Sequence, residues 1–290
     1  MNDQAEALRQ LVKLRSASEH KVNTRCISVA SGKGGVGKSN FSLNFALALK
    51  RLGKKVLIID ADIGMANIDV LMGTAAKYNL YHLIKNEKTI WDIISLGPEG
   101  IHYIAGGSGL LELVRLKDQE INNFAVEISK LQGQYDYIIF DTGAGLSKET
   151  AEFIIASDET LVVTTPEPTS ITDAYALIKM VNSLNPEQTF KLIVNRCTST
   201  DEGKNTAANF IEVSKRFIDI DIPLLGMIVD DQHVSKAVKK QMPLLMLFPE
   251  SMASKSILSI ARNYLNIPHT VEASGLKGFL HKMFKRSRAT

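Results

Sequence analysis

Cysteine is the scarcest useful signal in this chain: only Cys26 and Cys197 are present in 290 residues, far apart and outside any C-x-x-C pair. That excludes a disulfide framework and a cysteine-bound metal or cluster as the basis of the fold, and it fits a reducing, cytoplasmic setting. No run of about 18 apolar residues exists, so no segment of the sequence is expected to span a membrane. The first 21 residues mix acids, bases and glutamines and lack the apolar core of a signal peptide. Charge of one sign is also missing in excess. The net charge of +3 is too small to announce a nucleic-acid binder, and DNA is not an expected partner.

What is present is a globular composition, 45% hydrophobic and 22% charged, in a chain long enough for a large core. Short β-branched runs at 26–30, 55–60, 100–104, 135–141, 160–164, 190–195 and 224–229 alternate with amphipathic stretches at 39–52, 117–131, 169–183 and 205–217. This alternation predicts an α/β fold, a mainly parallel twisted sheet flanked by helices, in one domain spanning 23–270. Segments 1–22 and 271–290 stand outside the alternation and are expected to be appendages. Ligands in such folds gather at the carboxyl ends of the strands.

The segment Gly32 to Ser39 reads G-K-G-G-V-G-K-S, the P-loop pattern G-x-x-x-x-G-K-[ST]. Glycines are needed because backbone N–H groups must turn in around phosphates where a Cβ would intrude. Chance alone gives the pattern in a chain of this length on the order of 1% of the time; the alternative is a plain glycine-rich turn. Gly34, Gly35, Val36, Gly37, Lys38, Ser39 and Asn40 are the expected phosphate-binding residues, with Lys38 on the β- and γ-phosphates and Ser39 on Mg²⁺. Asp141, placed at the end of its strand, is expected to orient Mg²⁺. Asp60 and Asp62 follow the strand at 55–60. Asp60 is expected nearer the metal and Asp62 beside an attacking water; the alternative is a helix cap plus a solvated loop charge.

Taken together, Lys33-Gly34-Gly35-Val36-Gly37-Lys38-Ser39, Asp60-Ala61-Asp62-Ile63-Gly64 and Thr164-Thr165-Pro166-Glu167-Pro168 resemble the deviant Walker A ATPases of the MinD/ParA class. The resemblance covers roughly residues 24–268. It implies a P-loop NTPase fold, ATP/ADP and Mg²⁺ as cofactors, and an ATP-bound homodimer in which Lys33 reaches the partner's phosphates. It further implies an adenine site at Asn195 and Arg196, with Val229 and Asp230 beside the base. Two departures stand out: D-T-G-A-G at 141–145 replaces the commoner D-x-P-A-G, and Val229 replaces a proline. The absence of an [NT]-K-x-D guanine motif favours ATP independently.

In the tail, Leu276, Phe279, Leu280, Met283 and Phe284 follow helical spacing, with Lys277, Lys282, Lys285, Arg286 and Arg288 on the other side. This is the pattern of a helix lying in a membrane interface. The charges are worth at most about 5 kcal/mol on an anionic leaflet, and ordering the helix offsets much of that. One copy should bind weakly and two copies on a dimer much better. A helix docked on its own domain, or in a partner's groove, is the competing reading. At the other end, Asp3, Gln4, Ala5, Leu8 and Arg9 form an unremarkable amphipathic start, yet D-Q-A-x-x-L-R is similar to the activator motif of the FlhG (FleN, YlxH) flagellar-number ATPases. That likeness implies partners: the GTPase FlhF, the flagellar C-ring proteins FliM and FliN (FliY), and cytoplasmic membrane lipids, with reversible peripheral localisation. MinD-type division-site positioning and ParA-type DNA segregation are the alternatives on the same core.

Overall fold

A computed structural model describes residues 24–62, 67–106 and 118–266. In chain order the strands are β1 (Arg25–Ser31), β2 (Val56–Ala61), β3 (Ser95–Leu96), β4 (His102–Ile104), β5 (Tyr137–Ala144), β6 (Glu159–Thr164), β7 (Phe190–Cys197) and β8 (Leu224–Val229). The helices are α1 (Lys38–Arg51), α2 (Ile68–Met72), α3 (Leu80–Ile84), α4 (Ile90–Ile93), α5 (Asp118–Ser129), α6 (Lys148–Ala156), α7 (Pro168–Leu184), α8 (Thr200–Ile218), α9 (Gln232–Lys239), α10 (Leu244–Leu247) and α11 (Met252–Leu265). The eight strands form one sheet in the order β3-β4-β2-β5-β1-β6-β7-β8. Every pairing is parallel except β3 with β4.

Strand side chains alternate between the sheet's two faces, and the core follows that period of two. Ile27, Val29 and Ile58 face one layer with α1 and α11, through Phe41, Phe45, Ile257, Ile260 and Tyr264. Their neighbours Cys26, Leu57 and Ile59 face the other layer, with Leu80, Leu83, Phe124 and Ile128. Under the β6–β7 half, Val162, Leu192 and Val194 meet α6, α7 and α8. Burying each of these aliphatic side chains contributes about 1.5–3 kcal/mol. A sheet covered on both sides needs near-continuous apolar strands, which is why 56–59 carries no polar residue.

Three boundaries differ from the sequence expectation for identifiable reasons. The β5 strand does not stop at Asp141. It runs on to Ala144, held by the Thr142 hydroxyl donating to the Val29 carbonyl at 3.0 Å and by register with Ser31. The α8 helix starts at Thr200, earlier than 205, because the Ser199 hydroxyl accepts the Glu202 amide at 3.1 Å and forms an N-cap. Residues Pro98–Gly100 make a 3₁₀ turn, so β4 begins only at His102. The short antiparallel edge strand β3 was not anticipated at all. Both appendages lie outside the described residues, including Asp3, Gln4, Ala5, Leu8 and Arg9 and the tail from Leu276 to Arg286.

Candidate functional site

Because the strands other than β3 are parallel, their carboxyl ends share one edge, and the loops that leave it enclose a cleft of about 380 Å³. The P-loop, Asp62, Asn195, Arg196, Val229 and Asp230 all line it. The sequence brought these together only by analogy; the sheet does so by topology.

The loop between β1 and α1 is shaped by its glycines. Gly37 occupies the N-cap position of α1 with φ 91°, a left-handed conformation, and no side chain covers the helix's first amides. A Cβ on Gly37 would lie 2.4 Å from the Asn195 Nδ2. The Asn195 amide donates to the Val36 carbonyl at 2.7 Å, so one side chain from β7 clamps the apex of the loop. Gly32 is just as constrained, since a Cβ there would meet the backbone of Asp173 at 2.1 Å. The resulting cradle of amides at a helix amino end is an anion site.

Lys38 is nearly buried, and its ammonium donates to Asp141 Oδ1 at 2.9 Å and to the Ser39 hydroxyl at 3.3 Å. The Ser42 hydroxyl donates to the same Asp141 oxygen at 2.7 Å. Asp141 Oδ2 is buried without a hydrogen-bond partner. A buried carboxylate oxygen left unmatched beside a serine hydroxyl fits the demand of a hydrated divalent cation. Thus the residues present suit a polyphosphate with Mg²⁺. Ser42 escaped the sequence reading, although its place one turn after Lys38 was a usable signal.

Asp60 lies in register with Asp141 across β2 and β5, and backbone amides hold its carboxylate. Its Oδ1 accepts the Asp62 amide at 3.1 Å, and its Oδ2 accepts the amides of Asn67 and Ile68 at 2.7 and 3.0 Å. It is 1% exposed and holds the entry to α2. Burial, with a contribution from neighbouring Asp141, pushes its carboxyl up to about 6 against the pull of those amides. Three convergent N–H groups thus satisfy this carboxylate. Asp62, two residues on, lines the cleft together with Asn67 and Leu71.

Lys33 does not line its own cleft. Its ammonium donates to Glu167 Oε2 and the Thr169 hydroxyl, both at 3.1 Å, on the exposed side of the loop. Gly34, Gly35, Ser39 and Asn40 stand on the cleft wall, while Val36 is buried and contributes its carbonyl. At the base end, Arg196 has φ 58°, strained for a residue with a side chain, and is held there between Asn195 and buried Cys197. Beyond Val229 and Asp230, Asp231 is a fastener: it accepts the His233 amide at 2.9 Å and the Ala253 amide at 3.2 Å, joining α9 to α11. The α11 residues Ala253 and Ile257 complete that wall, and nothing in the sequence pattern placed them there.

The AAA domain family matches residues 24–194. The antiactivator FleN of Pseudomonas aeruginosa is 37% identical over 89% of this chain and 92% of its own length. The flagellum site-determining protein YlxH of Helicobacter pylori is 36% identical, over 98% of this chain and 99% of its own. Among solved structures, the MinC:MinD cell division complex of Aquifex aeolicus superimposes with a TM-score of 0.69 and 26% identity, covering 87% of this chain and 100% of that one.

Proposed function

For a chain that belongs to the AAA-domain ATPases of the MinD/ParA type, in the branch of FleN and YlxH, we propose that regulation of flagellar number is exerted by an ATP-driven switch between a cytosolic form and a membrane-bound dimer. The observation that carries this reading is the pairing of a complete P-loop site with similarity, over 89% and 98% of the chain, to the antiactivator FleN and the flagellum site-determining protein YlxH. ATP binds through the amides of 34–39 and Lys38, while Ser39 and Asp141 hold Mg²⁺. Asn195, Arg196, Val229 and Asp230 take the base. Asp62 positions the attacking water, and Lys33 leaves Glu167 to reach the phosphates of a second subunit.

Residues 276–286 then hold the dimer on the cytoplasmic membrane, where two weak helices act together. The N-terminal motif at 3–9 stimulates the GTPase FlhF, and FliM and FliN (FliY) are the flagellar partners. A strain carrying Lys38→Ala in place of the native residue is expected to build several flagella where the parent builds its normal number, counted by electron microscopy. An unchanged flagellar count accompanied by misplaced division septa would transfer the protein to the MinD-type role.

A further inference from the structure

Asp141 sits on β5, the strand between β2 and β1, so its backbone is fixed from both sides, in register with Asp60 on one and Val29 on the other. The next residue adds a third tie, the Thr142 hydroxyl donating to the Val29 carbonyl at 3.0 Å. What the sheet leaves free is the rotation of the Asp141 carboxylate, which decides which oxygen the protein occupies and which is left over. Its Oδ1 accepts from the Lys38 ammonium at 2.9 Å and from the Ser42 hydroxyl at 2.7 Å. Its Oδ2 is buried without a hydrogen-bond partner among the described residues. Asp60 cannot stand in for it, because the amides of Asp62, Asn67 and Ile68 already hold that carboxylate.

Of the two donors on Oδ1, Lys38 is the movable one. Its ammonium ends a flexible stem and also donates to the Ser39 hydroxyl at 3.3 Å, and a polyphosphate in the amide cradle competes for the same protons. Ser42 has no such second duty within reach. It is fully buried one turn along α1 from Lys38, on a helix held in the core by Phe41, Leu43 and Phe45. Its hydroxyl has a single proton and two oxygens near it, the Lys38 carbonyl at 3.0 Å and Asp141 Oδ1 at 2.7 Å. Bonding back to the carbonyl one turn earlier is the ordinary habit of a helical serine. Here the carboxylate is closer and charged, and a charge-assisted bond is roughly twice as strong as a neutral one.

We infer that Ser42 is a positioning residue for the metal: it keeps hold of Asp141 through Oδ1 while Lys38 turns to the phosphates, and so leaves Oδ2 to the hydrated Mg²⁺. The inference rests on the Mg²⁺–nucleotide reading of the cleft. Ser42→Ala deletes the donor, and Ser42→Cys refills the space with a weak one. Both full-length variants should bind ADP without metal within about twofold of the parent, whereas Mn²⁺ titrated into the ADP complex and followed by electron paramagnetic resonance should bind about tenfold more weakly. The Mg²⁺ concentration giving half-maximal ATPase rate should rise by the same factor of about ten, with excess Mg²⁺ restoring most of the rate. Parental Mn²⁺ affinity in either variant would overturn the inference; in Ser42→Cys it would assign the residue to packing. Absence of Mn²⁺ binding by the parent chain's ADP complex would overturn the Mg²⁺–nucleotide reading itself.

Discussion

Lys38→Ala should lower the melting temperature by on the order of 10 °C and abolish ATP binding, although it removes only one side chain. Lys38 and Asp141 form an ion pair with side-chain exposures of 6% and 1%, and the Asp141 Oδ2 is already without a partner. Removing the ammonium leaves a buried carboxylate with only the Ser42 hydroxyl to answer it. Breaking a buried pair in this way costs about 3–5 kcal/mol. The loss belongs to the stranded charge, so Lys38→Met combined with Asp141→Asn should recover most of it while staying inactive. Thermal unfolding of the two variants, with binding of a fluorescent ATP analogue, checks both halves. If the single and double variants unfolded alike, the pair would not be what supports this corner of the sheet.

Asp62→Ala separates binding from turnover. Asp62 lines the cleft, but the phosphate cradle is built from the amides of 34–39, Lys38 and the Asn195 clamp, none of which depends on it. Nucleotide affinity should therefore stay within a few-fold. A residue that orients or deprotonates an attacking water contributes about 10²–10⁴ in rate, so phosphate release should fall by at least about a hundredfold. The trapped ATP state should accumulate as a dimer on size-exclusion chromatography with light scattering. Normal phosphate release by this variant would return Asp62 to the role of a solvated loop charge and move attention to other groups on the cleft wall.

The features legible in the sequence are those in which local chemistry dictates residue type. The P-loop reads clearly because amides wrapped around phosphates demand glycine at fixed intervals, and the Gly37 contact with Asn195 shows how little room a Cβ would have. The parallel sheet was legible because strands buried on both faces must be apolar throughout. The sequence already sets Asp60 and Asp62 apart in role, but only the fold shows the amides of Asn67 and Ile68 delivered to Asp60. The same holds for Lys33, whose contact with Glu167 joins positions 134 residues apart. The α11 wall of the cleft is likewise a product of topology, which no local pattern encodes. The tail from Leu276 to Arg286 lies outside the described residues, so its helical spacing stands as an expectation.

The central claim, that nucleotide state governs membrane residence, is tested most directly by co-sedimentation with anionic vesicles of the intact chain and of a chain ending at residue 266, each with ATP and with ADP. The account predicts that only the intact chain with ATP pellets with lipid, with ADP returning it to the supernatant. Equal pelleting with the two nucleotides, or by the shortened chain, would contradict it.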